Sequence, residues 1–167
     1  MAFFKQVTTH VPKALEQPNV QNVVIMGRVT WESIPPKFRP LDNRFNIVVS
    51  RNLDYKLFPE ATPPNAVLKN SFASALEAVD PTKHGRVFVI GGAQMYSLAM
   101  QHEECSHIVL TRVKSTVACD TFFPPIDNKK FRLANHQELE DYVEQRVAQG
   151  AQKYKDLEYE FTLYIKR

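Results

Sequence analysis

A chain of 167 residues fits one domain and can bury an apolar core without disulfides or metals; 44% hydrophobic and 23% charged residues argue against disorder as its default state. The net charge of +3 is scattered, and its densest group (Lys129, Lys130, Arg132) is too short for a nucleic-acid stripe, though a modest positive charge suits an anionic small ligand. Cys105 and Cys119 lack redox or zinc spacing, the five histidines lack metal-ligand spacing, and no apolar run is long enough for a membrane span or a signal-peptide core, so a cytoplasmic protein with no metal, nucleic-acid or membrane partner is expected.

In chain order, residues 1–8 begin abruptly in helical composition. Residues 23–26 read as a strand, and 29–34 as a short helix that stops before Pro35. Strands follow at 45–49 and, more weakly, at 66–68. Residues 71–78 read as a helix with Ser71 as N-cap and with Phe72, Ala75 and Leu76 on one face. A strong strand at 86–90 leads through a glycine pair to a helix at 94–101. Further strands are expected at 107–113, 131–134 and 159–165. The prolines punctuate loops and mark no domain boundary. Alternating strand and helix is the α/β pattern, with continuous β-branched runs for strands covered on both faces. The last third, strands and long loops with no crossover helix, suggests antiparallel additions at the sheet's far edge.

Three strand-to-helix or strand-to-loop junctions carry the chemistry. At Val87-Phe88-Val89-Ile90-Gly91-Gly92-Ala93-Gln94 a buried strand enters two glycines and then a helix, where free N–H groups and the absence of side chains admit a phosphate. It is not the three-glycine dinucleotide fingerprint, and a tight turn with no ligand explains it equally well. At Gly27-Arg28-Val29-Thr30 a glycine opens a helix beside a guanidinium and a hydroxyl. At Val49-Ser50-Arg51 a hydroxyl and a guanidinium again follow a strand. Ligands of open α/β sheets sit beyond the strands' carboxyl ends, so three such junctions together suggest a ligand with several phosphates. The proline-rich loop from Trp31 to Leu41 fits a pocket wall, and Arg44 offers a bidentate grip for a carboxylate.

These residues resemble the dihydrofolate reductase family, especially its eukaryotic and fungal form. The likeness lies in Gly27-Arg28, Thr30-Trp31, Ser33-Ile34-Pro35, Arg39-Pro40-Leu41, Arg44 and Ser50-Arg51. It continues in Ile90-Gly91-Gly92 with Tyr96, in Leu110-Thr111-Arg112, in Asp120-Thr121-Phe122-Phe123-Pro124, and in Tyr159-Glu160-Phe161 with Tyr164. The resemblance implies one dihydrofolate reductase domain over residues 1–167, built on a mixed, mostly parallel sheet flanked by helices with an antiparallel C-terminal strand. It implies hydride transfer from NADPH to C6 of 7,8-dihydrofolate, giving tetrahydrofolate for one-carbon metabolism. It also implies antifolates as inhibitors and a monomeric state. Another reductase of this fold, the pyrimidine-reducing step of riboflavin synthesis, is disfavoured by the Trp31–Leu41 loop and by Asp120-Thr121-Phe122-Phe123-Pro124.

Carried over by resemblance, the cofactor is expected at Gly27, Arg28, Thr30, Ser33, Ser50, Arg51, Asn70, Ser71, Gly91, Gly92, Ala93, Gln94, Met95 and Tyr96, with a cis peptide between the two adjacent glycines. Lys69-Asn70 departs from the arginine some members carry there. Phe4 is expected to stack on the pterin, Ile34, Pro35, Phe38 and Leu41 to line the benzoyl pocket, Arg44 to pair with the substrate's α-carboxylate, and Ile90 to offer its carbonyl to the pterin amino group. Thr111 is expected to support the family's pterin-binding acid. In the family pattern that acid stands immediately ahead of the position of Met1 in Met1-Ala2-Phe3-Phe4, so no residue here matches it and no catalytic acid is assigned. The family's first strand also falls ahead of Met1. The chain as written is therefore expected to be N-terminally truncated, poorly stable and nearly inactive. A misassigned start is preferred over a non-catalytic NADP-binding remnant, because the other motifs are intact.

Overall fold

The computed structural model describes residues 2–60, 63–113, 123–154 and 157–167. The chain divides into two compact units, Met1–Ala99 and Met100–Arg167.

The first unit is organised by strand β1 (Gln21–Gly27), whose Asn22, Val23, Val24, Ile25 and Met26 are all fully buried. Side chains alternate across a strand, so this run of apolar residues needs a cover on both faces. Helix α1 (Ala2–Thr9) precedes β1, and helix α2 (Arg28–Ser33) follows it directly. Strands β2 (Arg44–Val49), β3 (Ala66–Lys69) and β4 (His84–Val89) complete a parallel sheet in the order β3-β2-β1-β4. On one face Val24, Met26 and Val48 pack with Trp31 of α2 and with Leu57. On the other, Val23, Ile25 and Ile47 pack with Ala75 of helix α3 (Phe72–Glu77) and Met95 of helix α4 (Ala93–Gln101). The expected α/β class is therefore present, and the strands and helices expected in this unit form with ends shifted by one or two residues.

Local chemistry explains the element ends. Ser71 caps α3: its hydroxyl accepts the Ser74 N–H at 3.0 Å, while Ser74 Oγ accepts the Ser71 N–H. Two buried asparagines do the work that backbone pairing cannot. Asn22 Nδ2 donates to the carbonyls of Thr8 (3.0 Å) and His10 (2.8 Å), and its Oδ1 accepts the Arg86 N–H at 2.8 Å. It thereby ties the end of α1 to β4 through β1. Gly85 is obligatory beside it, since a β-carbon there would lie 2.6 Å from Asn22 Oδ1. Asn46 Nδ2 donates to the Leu41 and Arg44 carbonyls, and its Oδ1 accepts the Leu41 N–H at 2.9 Å, which closes the loop before β2. The Arg39–Pro40 peptide in that loop is cis.

The second unit is antiparallel. Strand β5 (His107–Val113) pairs with the long β8 (Leu157–Lys166), which also pairs with β6 (Phe131–Leu133) and β7 (Gln152–Tyr154). Ile108, Phe131 and Tyr164 form its core with Leu110, Phe123 and Ile126 around them. Two details differ from the sequence reading. Among the described residues the antiparallel strands pair among themselves in a sheet of their own. The last third also contains a helix, α5 (His136–Val143). It begins with a reciprocal capping box in which Asn135 Oδ1 accepts the Glu138 N–H and Glu138 Oε1 accepts the Asn135 N–H. The Asn-x-x-Glu spacing was the available signal, outweighed by a strongly polar composition. Asp120, Thr121, Phe122 and Cys119, named in the sequence reading, lie outside the described residues.

Two predictions follow from these anchors. Replacing Asn22 by Ala strips partners from two carbonyls and an N–H, and should cost roughly 2–4 kcal/mol in urea unfolding, whereas Lys13→Ala, exposed on a turn, should change stability by less than about 0.5 kcal/mol. Glu138 also accepts from both terminal nitrogens of the Arg132 guanidinium, at 3.0 and 2.6 Å, and that hydrogen-bonded pair lowers its carboxyl from 4.5 to about 2. A depressed folded pKa means that the stabilisation is complete above about 4.5 and is lost as pH falls through about 2. Carbon-13 titration should place the Glu138 midpoint near 2, and Glu138→Gln should remove this acid-side loss; an ordinary midpoint would contradict the assignment.

Candidate functional site

The strand register sets the site. Gly27 of β1 lies opposite Val49 of β2, which lies opposite Lys69 of β3. The residues that follow these three, Arg28, Ser50 and Asn70, therefore leave the sheet side by side. The Ser50 N–H donates to the Lys69 carbonyl at 2.9 Å, extending the β2–β3 ladder into the turn. On the other side of β1, Ile25 lies opposite Val89, the Ile90 N–H donates to the Ile25 carbonyl (2.9 Å), and the Gly27 N–H donates to the Gly91 carbonyl (2.9 Å). Four carboxyl ends thus form one row, the place where open α/β sheets take their ligands.

The glycines in that row differ in why they are glycines. Gly91 has φ +131°, a conformation that side chains rarely adopt, and a β-carbon there would meet Thr30 Oγ1 at 3.2 Å and the Tyr96 hydroxyl at 3.5 Å. The fold itself requires this residue. At Gly92 a β-carbon would find Thr30 Oγ1 no nearer than 3.8 Å, and at Gly27 its nearest neighbour would be Met95 Cγ at 3.6 Å. Both are ordinary contacts, so packing alone would accept alanine at either position. The bare backbone at Gly27 and Gly92 leaves an open cradle beside Thr30. The Gly91–Gly92 peptide is cis, as the family resemblance implies. Tyr96 follows in the first turn of α4, its N–H on the Gly92 carbonyl, and burial pushes its phenol up.

The remaining residues expected at a cofactor fall around this row. Arg28 is exposed, 3.7 Å from Glu32, with its guanidinium over the Tyr55 ring at 5.7 Å. Ser33 donates to the Thr30 carbonyl at 2.6 Å, and Ser50 Oγ accepts the Asn52 N–H. Arg51 is exposed beyond β2. Asn70 Oδ1 accepts from Ser74 Oγ, and Ser71 is occupied as the α3 cap. Ala93, Gln94 and Met95 form the first turn of α4, with Met95 buried on the sheet and Gln94 exposed.

Of the residues expected at a substrate, Phe4 and Phe38 are exposed at 40% and 58%, high for phenylalanines on structured elements. Pro35 is exposed, while Ile34, Leu41 and Ile90 pack against the Trp31 core. Arg39 supports that loop by donating to the Trp31 carbonyl and lying over its ring. Arg44 is only 2% exposed. Its Nε donates to the Asp42 carbonyl (2.9 Å), one terminal nitrogen to Thr8 Oγ1 (3.0 Å) and the other to Asp42 Oδ1 (3.1 Å). Thr8 in turn donates to the Phe4 carbonyl at 2.8 Å, linking the Arg44 fork to the helix turn that carries Phe4. Sequence reasoning missed Thr8, Asp42, Lys5 and Tyr55, because each acts through a partner distant in sequence or through an unremarkable surface position. Thr111 sits in β5 of the second unit, opposite Phe161 of β8. Among the described residues, no group of three His, Cys, Asp or Glu side chains is arranged to hold a metal, and no helix is long and apolar enough to cross a membrane.

The fold is of the α/β class, and this row lies at the carboxyl edge of its parallel sheet, where ligands of such sheets are commonly taken. The chain belongs to the dihydrofolate reductase family: the family profile described as "Dihydrofolate reductase" matches residues 1–156. A dihydrofolate reductase from Heliothis virescens is 36% identical over 160 residues, which cover 94% of this chain and 83% of that protein. A bifunctional dihydrofolate reductase-thymidylate synthase from Glycine max is 39% identical over 136 residues, 79% of this chain but only 24% of that longer protein. The chain thus spans about a quarter of the bifunctional relative and most of the monofunctional one. Among solved structures, Schistosoma mansoni dihydrofolate reductase is similar with a TM-score of 0.78 and 32% identity, covering 100% of this chain and 84% of that one. By family the chain is an oxidoreductase.

The two glycines of the cis pair should respond differently to a methyl group. Gly91→Ala should destabilise the fold by about 1–3 kcal/mol through its positive φ and the Thr30 contact, while Gly92→Ala should leave the thermal midpoint nearly unchanged. Equal losses in both variants would contradict the distinction drawn from packing.

Proposed function

We propose that the chain binds NADPH and 7,8-dihydrofolate and serves the reduction of dihydrofolate to tetrahydrofolate. The observation that carries this reading is the open backbone cradle at Gly27 and Gly92, set in the one row where Arg28, Ser50 and Arg51 also emerge, within a chain of this family. The donor set suits a dinucleotide with an added phosphate: guanidinium groups match phosphate oxygens in pairs, and bare backbone allows close approach. When bound, NADPH supplies the hydride for the pterin. On this reading Arg28, Thr30, Ser50, Arg51 and the Gly91–Tyr96 segment hold the cofactor. Phe4, Ile34, Pro35, Phe38 and Leu41 shape the apolar part of the substrate site, Arg44 takes the α-carboxylate, and Ile90 contributes a carbonyl. Thr111 positions the family's acid. A monomer in the cytoplasm, open to antifolate inhibitors, completes the proposal.

The first sheet ends at β4 among the described residues, with Val87 there 38% exposed, while Val23, Val24 and Ile25 of β1 beside it are fully buried. Calorimetry with NADPH should give one saturable site that Gly92→Ala weakens at least about tenfold. Failure to bind NADPH would refute the cofactor site.

A further inference from the structure

Arg44 is held more tightly than a ligand-binding arginine needs. A guanidinium has five N–H donors, and among the described residues three of them are engaged, two by Asp42 and one by Thr8. The donor pair on Nε and one terminal nitrogen, a side edge of the fork, faces Asp42. One N–H on each terminal nitrogen is left over by these contacts. Asp42 is also bound from the other side, with Lys5 Nζ 3.4 Å from its Oδ2. Burial alone would raise the Asp42 carboxyl, but Lys5 and Arg44 together outweigh it and keep the group below its usual range, hence charged at neutral pH. The row Lys5, Asp42, Arg44 therefore alternates plus, minus, plus. Asp42 and Lys5 are largely exposed, at 64% and 59%, whereas the Arg44 side chain is at 3%. The Asp42 carboxylate offsets part of the cost of burying Arg44, and it does so from an exposed position that leaves its charge within reach of a ligand's charge.

We propose that Asp42 is a specificity-determining residue. It fixes one edge of the Arg44 fork and, with its own charge, opposes the ligand carboxylate that docks on the donors left over. Lys5 offsets part of that opposition. The net effect is to limit the affinity of carboxylate-bearing ligands without changing that of uncharged ones. This rests on the reading of Arg44 as the carboxylate-binding residue.

The test compares two ligands by calorimetry on the same protein: folate, which carries the glutamate carboxylates, and a 2,4-diaminopyrimidine with no carboxylate. Asp42→Asn keeps a hydrogen-bond acceptor toward Arg44 and leaves the Asp42 backbone carbonyl in place, so it removes chiefly the charge. It should tighten folate about three- to tenfold, the scale of one like charge removed from a partly exposed site, and leave the diaminopyrimidine within about twofold. The gain should shrink as salt is raised. Lys5→Gln should move folate the other way. Unchanged or weaker folate binding in Asp42→Asn, or equal shifts for both ligands, overturns the proposal. A wild-type protein that binds the diaminopyrimidine but not folate also overturns it, and one that binds neither ligand overturns the functional reading beneath it.

Discussion

Burial of β1 on both faces is the constraint from which the rest follows. A strand with five consecutive fully buried residues must be flanked by other strands and covered above and below. Parallel neighbours on each side and helices on the faces meet that requirement. Parallel pairing then sends all four carboxyl ends the same way. The register between Gly27, Val49 and Lys69 sets the junction residues side by side, and the Gly27–Gly91 hydrogen bond brings the glycine pair into the same row. The row of strand ends is thus a consequence of how the core is closed.

Polar groups in that core are few and are used as clamps. Asn22 and Asn46 are wholly buried, and each makes several hydrogen bonds to backbone that lies off the sheet ladder. Among the described residues, no buried side-chain nitrogen or oxygen is left without a partner. That agrees with the cost of stranding such groups away from water. Arg44 belongs with them. Burial disfavours its charge, and the Asp42 carboxylate offsets part of that cost. The same contact that makes a buried guanidinium tolerable also shapes what it offers a ligand.

Membership of the dihydrofolate reductase family fits both halves of this picture, the row of strand ends and the loop from Trp31 to Arg44. The structure adds a distinction among the family's glycines. Gly91 is demanded by its backbone conformation, while Gly27 and Gly92 are permitted by packing to be larger. Two exposed phenylalanines, Phe4 and Phe38, and the Arg44 cation, linked to the Phe4 turn through Thr8, bring apolar surface and positive charge into the same unit.

The sequence by itself determined the first unit and its strand-end junctions. Its signals are local: continuous β-branched runs, prolines between them, a serine cap, glycines after strands. The same signals served poorly in the second unit, where the short, mostly polar α5 buries only Leu139 and Val143 and is marked at its start by Asn135 and Glu138. Nor did periodicity show that the antiparallel strands pair among themselves, since pairing partners are chosen by contacts far apart in the chain. The residues around Arg44 show the same limit. Arg44 could be singled out from the family pattern, but Thr8 lies 36 positions away and meets it only because the register of Asn22 with Arg44 brings α1 over that end of the sheet. Sequence fixes which groups are available. Tertiary structure decides which of them share a low-dielectric space, and therefore which charges and hydrogen bonds act on one another.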